Sequence, residues 1–327
     1  MRALLWVVVA AAVTWGGYWF AGARALETAA QTWFRTQTDA GLVAEHSALS
    51  VGGFPNRFDL TVTNLRLANP ATGYGWTAPF VQILSLSYRP WHIIAAFAKQ
   101  QQVQTPWQDL AVASDKLQGS VVFVPGTNLA LDRLTLAGNG MRVTSDLGWT
   151  VGVDKLRFST RQVDGDRIRH EIGLEMLGLQ PDSGVTAALP DFPETLEKLR
   201  LDAIVTLTVP LDRRAGQARP RASHVDVKEV RLVWGTLVLS GSGSVAAAAD
   251  GLAEGRIALR LTNWRDAMPL AVAAGLITAE VAPTWQNMLA LLAAQTGTPE
   301  DLDLPLIFAR GRASLGPFPL GPAPRMN

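Results

Sequence analysis

The spacing of apolar and polar residues changes near residue 41, from a helical pattern to an alternating one. Residues 4–23 carry no charge, and a helix of that length covers the roughly 30 Å hydrocarbon core of a bilayer at about 1.5 Å per residue. Residues 26–38 continue with apolar side chains at helical spacing. The pattern predicts a transmembrane anchor over 1–24 and a juxtamembrane amphipathic helix over 25–41.

A cleavable signal peptide is the alternative to an anchor. Ala21-Gly22-Ala23 and Ala23-Arg24-Ala25 both fit the small-x-small cleavage pattern. The apolar stretch exceeds the usual signal-peptide core of about 7–15 residues, and its aromatic residues suit the interfacial belt of a membrane. We therefore favour an uncleaved anchor. No second span of this kind follows, so we expect a single-pass inner-membrane protein with the bulk of its chain in the periplasm.

From residue 42 onwards, apolar and polar residues alternate with the period of two that half-buried strands show. The clearest windows are 199–209, 168–174 and 256–262, and further strands are predicted at 80–88, 120–124, 151–158, 230–239 and 304–308. Asp164-Gly165 and Asp250-Gly251 predict hairpin turns. The candidate apolar face of the sheet comprises Leu201, Val205, Leu207, Ile257, Leu259 and Leu261.

The alternation slips by one residue in two places, near Asn64 and between Leu131 and Leu134. An extra residue in a β-bulge causes such a slip and also bends the sheet. The fold class we predict is mainly β (α+β). A transmembrane helix is followed by a long, curved, bulged antiparallel sheet, and a C-terminal helix pair packs on that sheet.

The helix pair is predicted from two apolar stripes. The first helix starts from a cap at Asn263 or Asp266 and runs to Ile277, and the second runs from Pro283 to Gly297. Both should cover the sheet as a lid.

A loop rich in arginine and proline, residues 210–224, is expected to divide the β-rich region. One half covers 42–209, and the other covers 225–327 and contains the helix pair. The proline-rich residues 316–324 lack the backbone donors that an inner strand needs and should run extended along the sheet.

The composition argues against several classes of function. The chain has 29 Lys+Arg against 28 Asp+Glu, a formal net charge of +1, so it lacks the basic surplus that nucleic-acid binding requires. It has no cysteine and only four histidines, and no catalytic, nucleotide-binding or metal-binding motif occurs. We expect that the protein is not an enzyme and that it has no catalytic residue, no cofactor and no metal. An active site would require residues such as His170, Asp166 and Ser159 to meet on folding.

Residues 53–58, Gly-Phe-Pro-Asn-Arg-Phe, form a distinctive motif in the N-terminal half. Gly53 permits a positive φ, and Pro55 fixes a bend. Phe54 and Phe58 can anchor the start of a strand, while Arg57 can bond carbonyl groups. We interpret the motif as structural rather than as a binding site.

This motif, together with residues 75–79, 88–94 and 311–317, resembles an uncharacterised bacterial family, a domain of unknown function with an N-terminal membrane anchor. At greater distance, the layout of one anchor, a bulged sheet and repeated strand-glycine-strand units is similar to AsmA-like envelope proteins. That second resemblance implies a curved sheet with an apolar inner face and a part in phospholipid transport or outer-membrane assembly.

Two functions are compatible with these features. The first is a non-enzymatic, periplasm-facing protein that is anchored in the membrane and binds or passes phospholipid along the apolar face of its sheet. The second is an envelope scaffold that holds a closed, dry domain beside the membrane for a protein partner. The first expects an apolar face too continuous for the helix pair to close, and the second expects an ordinary core.

Overall fold

The computed structural model describes residues 1–273, 277–295 and 298–326. The chain forms two compact units, the first made of Met1–Pro125 with Leu134–Gly148 and the second of Gly126–Arg133 with Trp149–Asn327. The fold is mainly β with antiparallel strands, an N-terminal apolar helix and C-terminal helices, as the alternation predicted.

The first nine strands follow a single long helix. Helix α1 spans Arg2–Asp39, and the strands β1 to β9 are Val43–Glu45, Ala48–Gly52, Arg57–Asn69, Tyr74–Leu86, Arg89–Phe97, Gln100–Gln104, Asp109–Ala113, Lys116–Phe123 and Leu131–Ser145.

The remaining elements are nine strands and four short helices. The strands β10 to β18 are Thr150–Val163, Asp166–Gln180, Leu196–Leu207, Ala222–Trp234, Leu237–Ala247, Ala253–Thr262, Asp301–Ala309, Arg312–Leu315 and Phe318–Pro322. The helices α2 to α5 are Ser183–Ala187, Ala215–Ala218, Ala267–Ala273 and Ala282–Gln295, and a 3₁₀ turn covers Trp264–Asp266.

Helix α1 is continuous through residue 24, so the amphipathic segment continues the predicted anchor in one helix. Its buried residues Trp19, Ala23 and Phe34 recur on one side, and they pack with β2 and β3 around Leu60 and Phe58. Residues 1–15 are all exposed. The predicted anchor and the predicted amphipathic helix are therefore one helix, and its second half belongs to the core of the first unit. Gly41, with φ +84°, follows its end.

The prediction of a β-bulge at Asn64 is wrong, although the alternation of buried and exposed positions does shift by one residue there. On β3 the buried side chains change phase from Val62 to Leu65, and on β4 they change phase from Val81 to Ala78. The β3–β4 register is the same on both sides of this point. Asn64 adopts φ +51°, a conformation that Asn tolerates, and it lies opposite a proline that cannot donate to the ladder. Both strands change face together, so no extra residue is needed.

In the second unit, each strand from β10 to β17 pairs antiparallel with the next strand in sequence. The strands predicted at 151–158, 168–174, 256–262 and 304–308 lie within β10, β11, β15 and β16, and residues 199–207 of the strand predicted at 199–209 lie in β12. Both predicted hairpins are present, at Gly165 and Gly251. Register shifts, as bulges produce, occur along β10–β11, β12–β13 and β13–β14.

The prediction of one strand over 230–239 is wrong, because this stretch is a hairpin. Gly235, with φ +59°, turns the chain between β13 and β14. Trp234 pairs directly with Leu237 across the turn. The apolar run is unbroken in sequence, so only the positive φ that glycine allows marks the turn.

The helix pair packs on the sheet as expected. Leu289 and Ala293 of α5 lie with Trp264 against Leu302 and Leu304 of β16. Asn263 has φ +55° and makes no side-chain cap. Among the described residues, α4 covers Ala267–Ala273, and Ile277 is not helical. The predicted stop at Gly297 lies outside the described residues. The C-terminal stretch is extended and pairs with β17 as strand β18.

The arginine-rich loop 210–224 joins two paired strands of the same unit. It connects β12 to β13, and the short helix α3 lies within it. The boundary between the compact units lies instead around residues 125–149.

Candidate functional site

The paired strands β11 to β16 place apolar residues in four rungs on one side of the second unit's sheet. Directly paired residues of antiparallel strands share a face. The first rung is Met176, Leu199, Leu232, Leu239, Leu261 and Leu302, and the second is Leu174, Leu201, Val230, Gly241, Leu259 and Leu304. The third rung is Ile172, Ala203, Val227, Gly243, Ile257 and Leu306, and the fourth is His170, Val205, Val225, Val245, Gly255 and Phe308. We call these four rungs the inner face.

The inner face brings together the candidate residues that were chosen on separate strands. Leu201 and Leu259 share the second rung through Val230 and Gly241. Leu261 lies in the first rung, Ile257 in the third and Val205 in the fourth. Leu207 lies at the end of β12, opposite Ala222 and beyond a register shift. At about 4.8 Å between strands and about 3.3 Å per residue, the face measures roughly 24 Å by 20 Å. This is a continuous apolar surface.

The opposite face of the same strands is charged. A rung between those of the inner face contains Glu175, Arg200, Arg231, Ser240, Arg260 and Asp303. Arg260 holds Asp303 through two hydrogen bonds of 2.7 and 2.9 Å, and this contact keeps the pKa of the Asp303 carboxyl below its usual value. Such exposed pairs stabilise a fold by about 1 kcal/mol or less. They indicate that this side of the sheet faces water.

Two groups of residues cover one end of the inner face. At the β15–β16 side, the cluster of Trp264 and α5 lies over the first two rungs. At the β12–β13 side, Leu189 and Phe192 pack on Leu196 and Trp234, and the Trp234 indole donates to the carbonyl oxygen of Pro193 over 2.8 Å. The second cover, residues 189–193, was not foreseen from the sequence.

The middle of the inner face is only partly covered. Leu174, Leu201, Val230 and Leu259 are half-buried, whereas large apolar residues at the centre of a two-layer core are usually buried completely. The buried members of the third and fourth rungs are Ala203, Val227, His170 and Val245. The accessible part of the inner face is therefore formed by its larger, half-buried apolar side chains.

Three glycines on β14 and β15 leave part of the inner face without side chains. Gly241, Gly243 and Gly255 lie in consecutive rungs, and a Cβ at Gly243 would lie 2.2 Å from the carbonyl oxygen of Arg256. Gly243 also has φ +155°. Only glycine fits this close approach, so the inner face has a strip without side chains.

His170 is the one titratable residue in the four rungs. It is 2% exposed, its Nδ1 lies 3.4 Å from the Thr160 hydroxyl, and its Nε2 has no hydrogen-bond partner within the described structure. Burial lowers the pKa of His170 from its usual value, against smaller opposing effects of the Arg167 backbone and the Asp166 charge. The ring is held neutral in an apolar setting.

The residues of the hypothetical active site do not converge. Ser159 pairs with Gly173, while Thr160 and Gln162 pair with Ile172 and His170, so Ser159 and His170 point to opposite faces. The Asp166 side chain accepts from the backbone N–H of Ile168. Among residues 1–273, 277–295 and 298–326, no three potential metal-ligating side chains form a cluster.

The motif 53–58 lies in the first unit, against α1. Gly53 has φ +95°, the Phe54–Pro55 peptide is cis, and the backbone N–H of Arg57 donates to the carbonyl oxygen of Gly53 over 2.8 Å. Phe58 is 8% exposed and packs with Trp19 and Ala23. The Arg57 guanidinium bonds Asp59 at 2.7 Å rather than a carbonyl group.

Helix α1 is long and apolar enough to cross a membrane, by criteria that an N-terminal signal sequence also meets. Only 6% of its most apolar window is buried, unlike the core helix of a soluble domain. The protein thus combines a possible membrane helix with an antiparallel sheet that is apolar on one face.

Comparison with known families agrees with this architecture. Residues 19–324 match a family described as an uncharacterised protein conserved in bacteria (DUF2125), and the chain belongs to that family. The match begins at Trp19, the first buried residue of α1. No curated protein matches the chain and no solved structure does, so the similarity to AsmA-like proteins is not shown.

Proposed function

We propose that this protein is anchored in the bacterial inner membrane and holds phospholipid acyl chains on the inner face of its second unit, on the periplasmic side. The observation that carries the proposal is the half-buried state of large apolar side chains in the middle of that face, such as Leu201 and Leu259. Acyl chains gain about 0.8 kcal/mol for each CH₂ removed from water, so a surface of this size favours lipid over water.

The sheet geometry supports a chain-like ligand. The glycine strip of Gly241, Gly243 and Gly255 offers a path across the rungs without protruding side chains. The two covers described above pack on the first and second rungs, whereas the large side chains Ile257 and Phe308 of the third and fourth rungs stay half-buried and can contact a ligand. Charged groups are confined to the opposite face, where they keep the protein soluble.

The contacts of α1 support an anchor that stays attached. Cleavage after Ala23 or Ala25 would remove Trp19 and leave Phe58 uncovered. Loss of such a buried aromatic residue lowers the folding stability by about 3–5 kcal/mol. A signal peptide is removed from the mature domain, so it is not expected to stabilise that domain in this way.

Native mass spectrometry of the full chain tests the proposal. The protein is extracted from its own membranes, washed extensively in lipid-free detergent and released from the micelle in the spectrometer. We expect phospholipid adducts at near one-to-one stoichiometry, and we expect Leu259→Glu to lose them because a carboxylate then lies on the inner face.

Ala258→Glu is the matched control, since Ala258 is exposed on the opposite face of the same strand. It should keep the adducts. Equal melting temperatures for the variants and the parent guard against a folding defect, and Val205→Glu repeats the test on another strand. A lipid-free parent chain, or equal loss in both neighbouring variants, would contradict the proposal and favour the scaffold hypothesis.

A further inference from the structure

A group of aromatic rings lies where helix α1 separates from the sheet of the first unit. Trp15, Tyr18 and Trp19 follow each other at helical spacing and contact two turns, residues 53–57 and 87–89. The rings in contact are Trp15, Tyr18, Trp19, Phe20, Phe54 and Phe58. We call these rings, together with the exposed Tyr88 of the second turn, the aromatic seat.

The rings pack tightly around Trp19. Its ring centroid lies 5.3 Å from that of Phe54 in an edge-to-face contact and 6.1 Å from that of Phe58 in a stacked one. Phe20 stacks on Phe54 at 5.7 Å. Such pairs stabilise a contact beyond the apolar area that they bury, so the two turns are held firmly against the helix.

Backbone carbonyl groups of the two turns accept hydrogen bonds from α1. Trp15 donates to Pro55, Tyr18 to Ser87 and Trp19 to Arg57, over 3.0, 2.7 and 2.6 Å. The turns also bond each other through Ser87 and Asn56. Irregular backbone is tolerated at membrane depth only where its polar groups have partners within the protein, and these turns have them.

The outer side of the aromatic seat is apolar and exposed. Phe20 is 65% exposed, Phe54 57% and Tyr88 54%, and the neighbouring Arg57 and Arg89 are exposed as well. Aromatic rings flanked by cations are typical of the boundary between headgroups and acyl chains.

The length of α1 places the aromatic seat at that boundary. From Arg2 to Trp15 the helix rises about 20 Å, and from Arg2 to Phe20 about 27 Å, against a hydrocarbon core of roughly 30 Å. With Arg2 at one membrane surface, Phe20 and the attached turns reach the opposite interface.

We propose that the turns 53–57 and 87–89 are a second membrane contact, whose Phe54 and Tyr88 insert into the leaflet from which α1 emerges. The inference rests on the proposed function, since α1 must cross a bilayer. The contact would fix the first unit's sheet upright at the membrane surface, with β3 and β5 starting beside the lipid. The motif 53–58 then shapes a membrane-inserted turn.

Spin labels measure the depth directly, because the chain has no cysteine of its own. Single variants Trp6→Cys, Phe54→Cys, Tyr88→Cys and Trp107→Cys of the full chain are labelled and reconstituted in phosphatidylethanolamine–phosphatidylglycerol vesicles. Accessibility to oxygen, which concentrates in lipid, is compared with accessibility to a water-soluble nickel chelate. Trp107, which is 74% exposed and packs on Tyr74, is the aqueous control, since β4 extends about 40 Å from Tyr74 to Leu86.

We expect labels at positions 6, 54 and 88 to favour oxygen by at least about tenfold over the label at 107. If position 6 lies in lipid while 54 and 88 are as aqueous as 107, the second contact is overturned and the anchor stands. If position 6 is also aqueous, the anchor fails together with the contact. Protection of 54 and 88 from both reagents would mean that a second copy of the chain covers the aromatic seat, which also overturns the inference.

Discussion

The indole N–H of Trp19 donates a hydrogen bond to the carbonyl oxygen of Arg57 over 2.6 Å, across 38 residues of sequence. Trp19 is 5% exposed and packs on Phe58 and Ala23. The end of the apolar N-terminal segment is thus part of the core of the first unit. Trp19 therefore belongs both to the helix that is long and apolar enough to cross a membrane and to the core of the first unit.

Trp19→Phe should destabilise the first unit by about 1–3 kcal/mol, because the ring remains but the buried Arg57 carbonyl loses its donor. Urea unfolding in detergent micelles, followed by circular dichroism, measures the change. Trp6→Phe makes the same substitution at a site that is 71% exposed and should leave the free energy of unfolding unchanged. Equal effects at both positions would show that the hydrogen bond contributes nothing.

A chain that starts at residue 42 should not fold its first unit. It lacks Trp19 and Phe34, and each buried aromatic residue contributes about 3–5 kcal/mol, against a total stability of about 5–15 kcal/mol for a typical domain. A chain that starts at residue 14 keeps every α1 contact described above. We expect limited proteolysis to degrade residues 42–125 rapidly in the shorter chain only, and similar resistance in both would contradict this account.

His170 should make stability fall in mild acid. Its pKa in the folded protein lies below the ordinary value of 6.5 because burial penalises the charged ring. Above pH 6.5 the ring is neutral in both states. As the pH falls below 6.5, the unfolded chain binds a proton at His170 and the folded chain does not. The free energy of unfolding therefore decreases until the pH reaches the pKa of His170 in the folded protein.

His170→Leu removes this proton linkage and keeps the inner face apolar. The free energy of unfolding between pH 7.5 and 5.5 should then decrease less in the variant than in the parent. Asp182 and Asp303, whose pKa values are lowered from 3.8, act only in stronger acid. Identical slopes for parent and variant would show that His170 is not held neutral in the fold.

Local patterns predicted the strands of the second unit because each strand alternates between a wet face and an apolar one. Leu201 and Leu259 could be assigned to one side of their own strands, but only the pairing through Val230 and Gly241 shows that both belong to one face. The spacing within one strand does not show which residues of a neighbouring strand it pairs with.

Other features depend on contacts between distant segments. The pattern predicted that the helix over 25–41 continues the anchor, but only the structure shows that Trp19 and Phe34 lie on one stripe that packs against the sheet. Residues 189–193 cover the sheet through Leu189, although nothing in their pattern marks a helix or a strand. The hairpin at Gly235 was hidden in an apolar run.

Photocrosslinking in living bacteria tests the central claim most directly. A benzophenone amino acid replaces Leu259 in one variant and Ala258 in another, and the full chains are irradiated in the membrane and analysed by mass spectrometry. Lipid adducts at position 259 but not at 258 are the predicted result, because only 259 faces the inner face. Absence of lipid adducts at 259, or adducts to protein alone, would contradict the account.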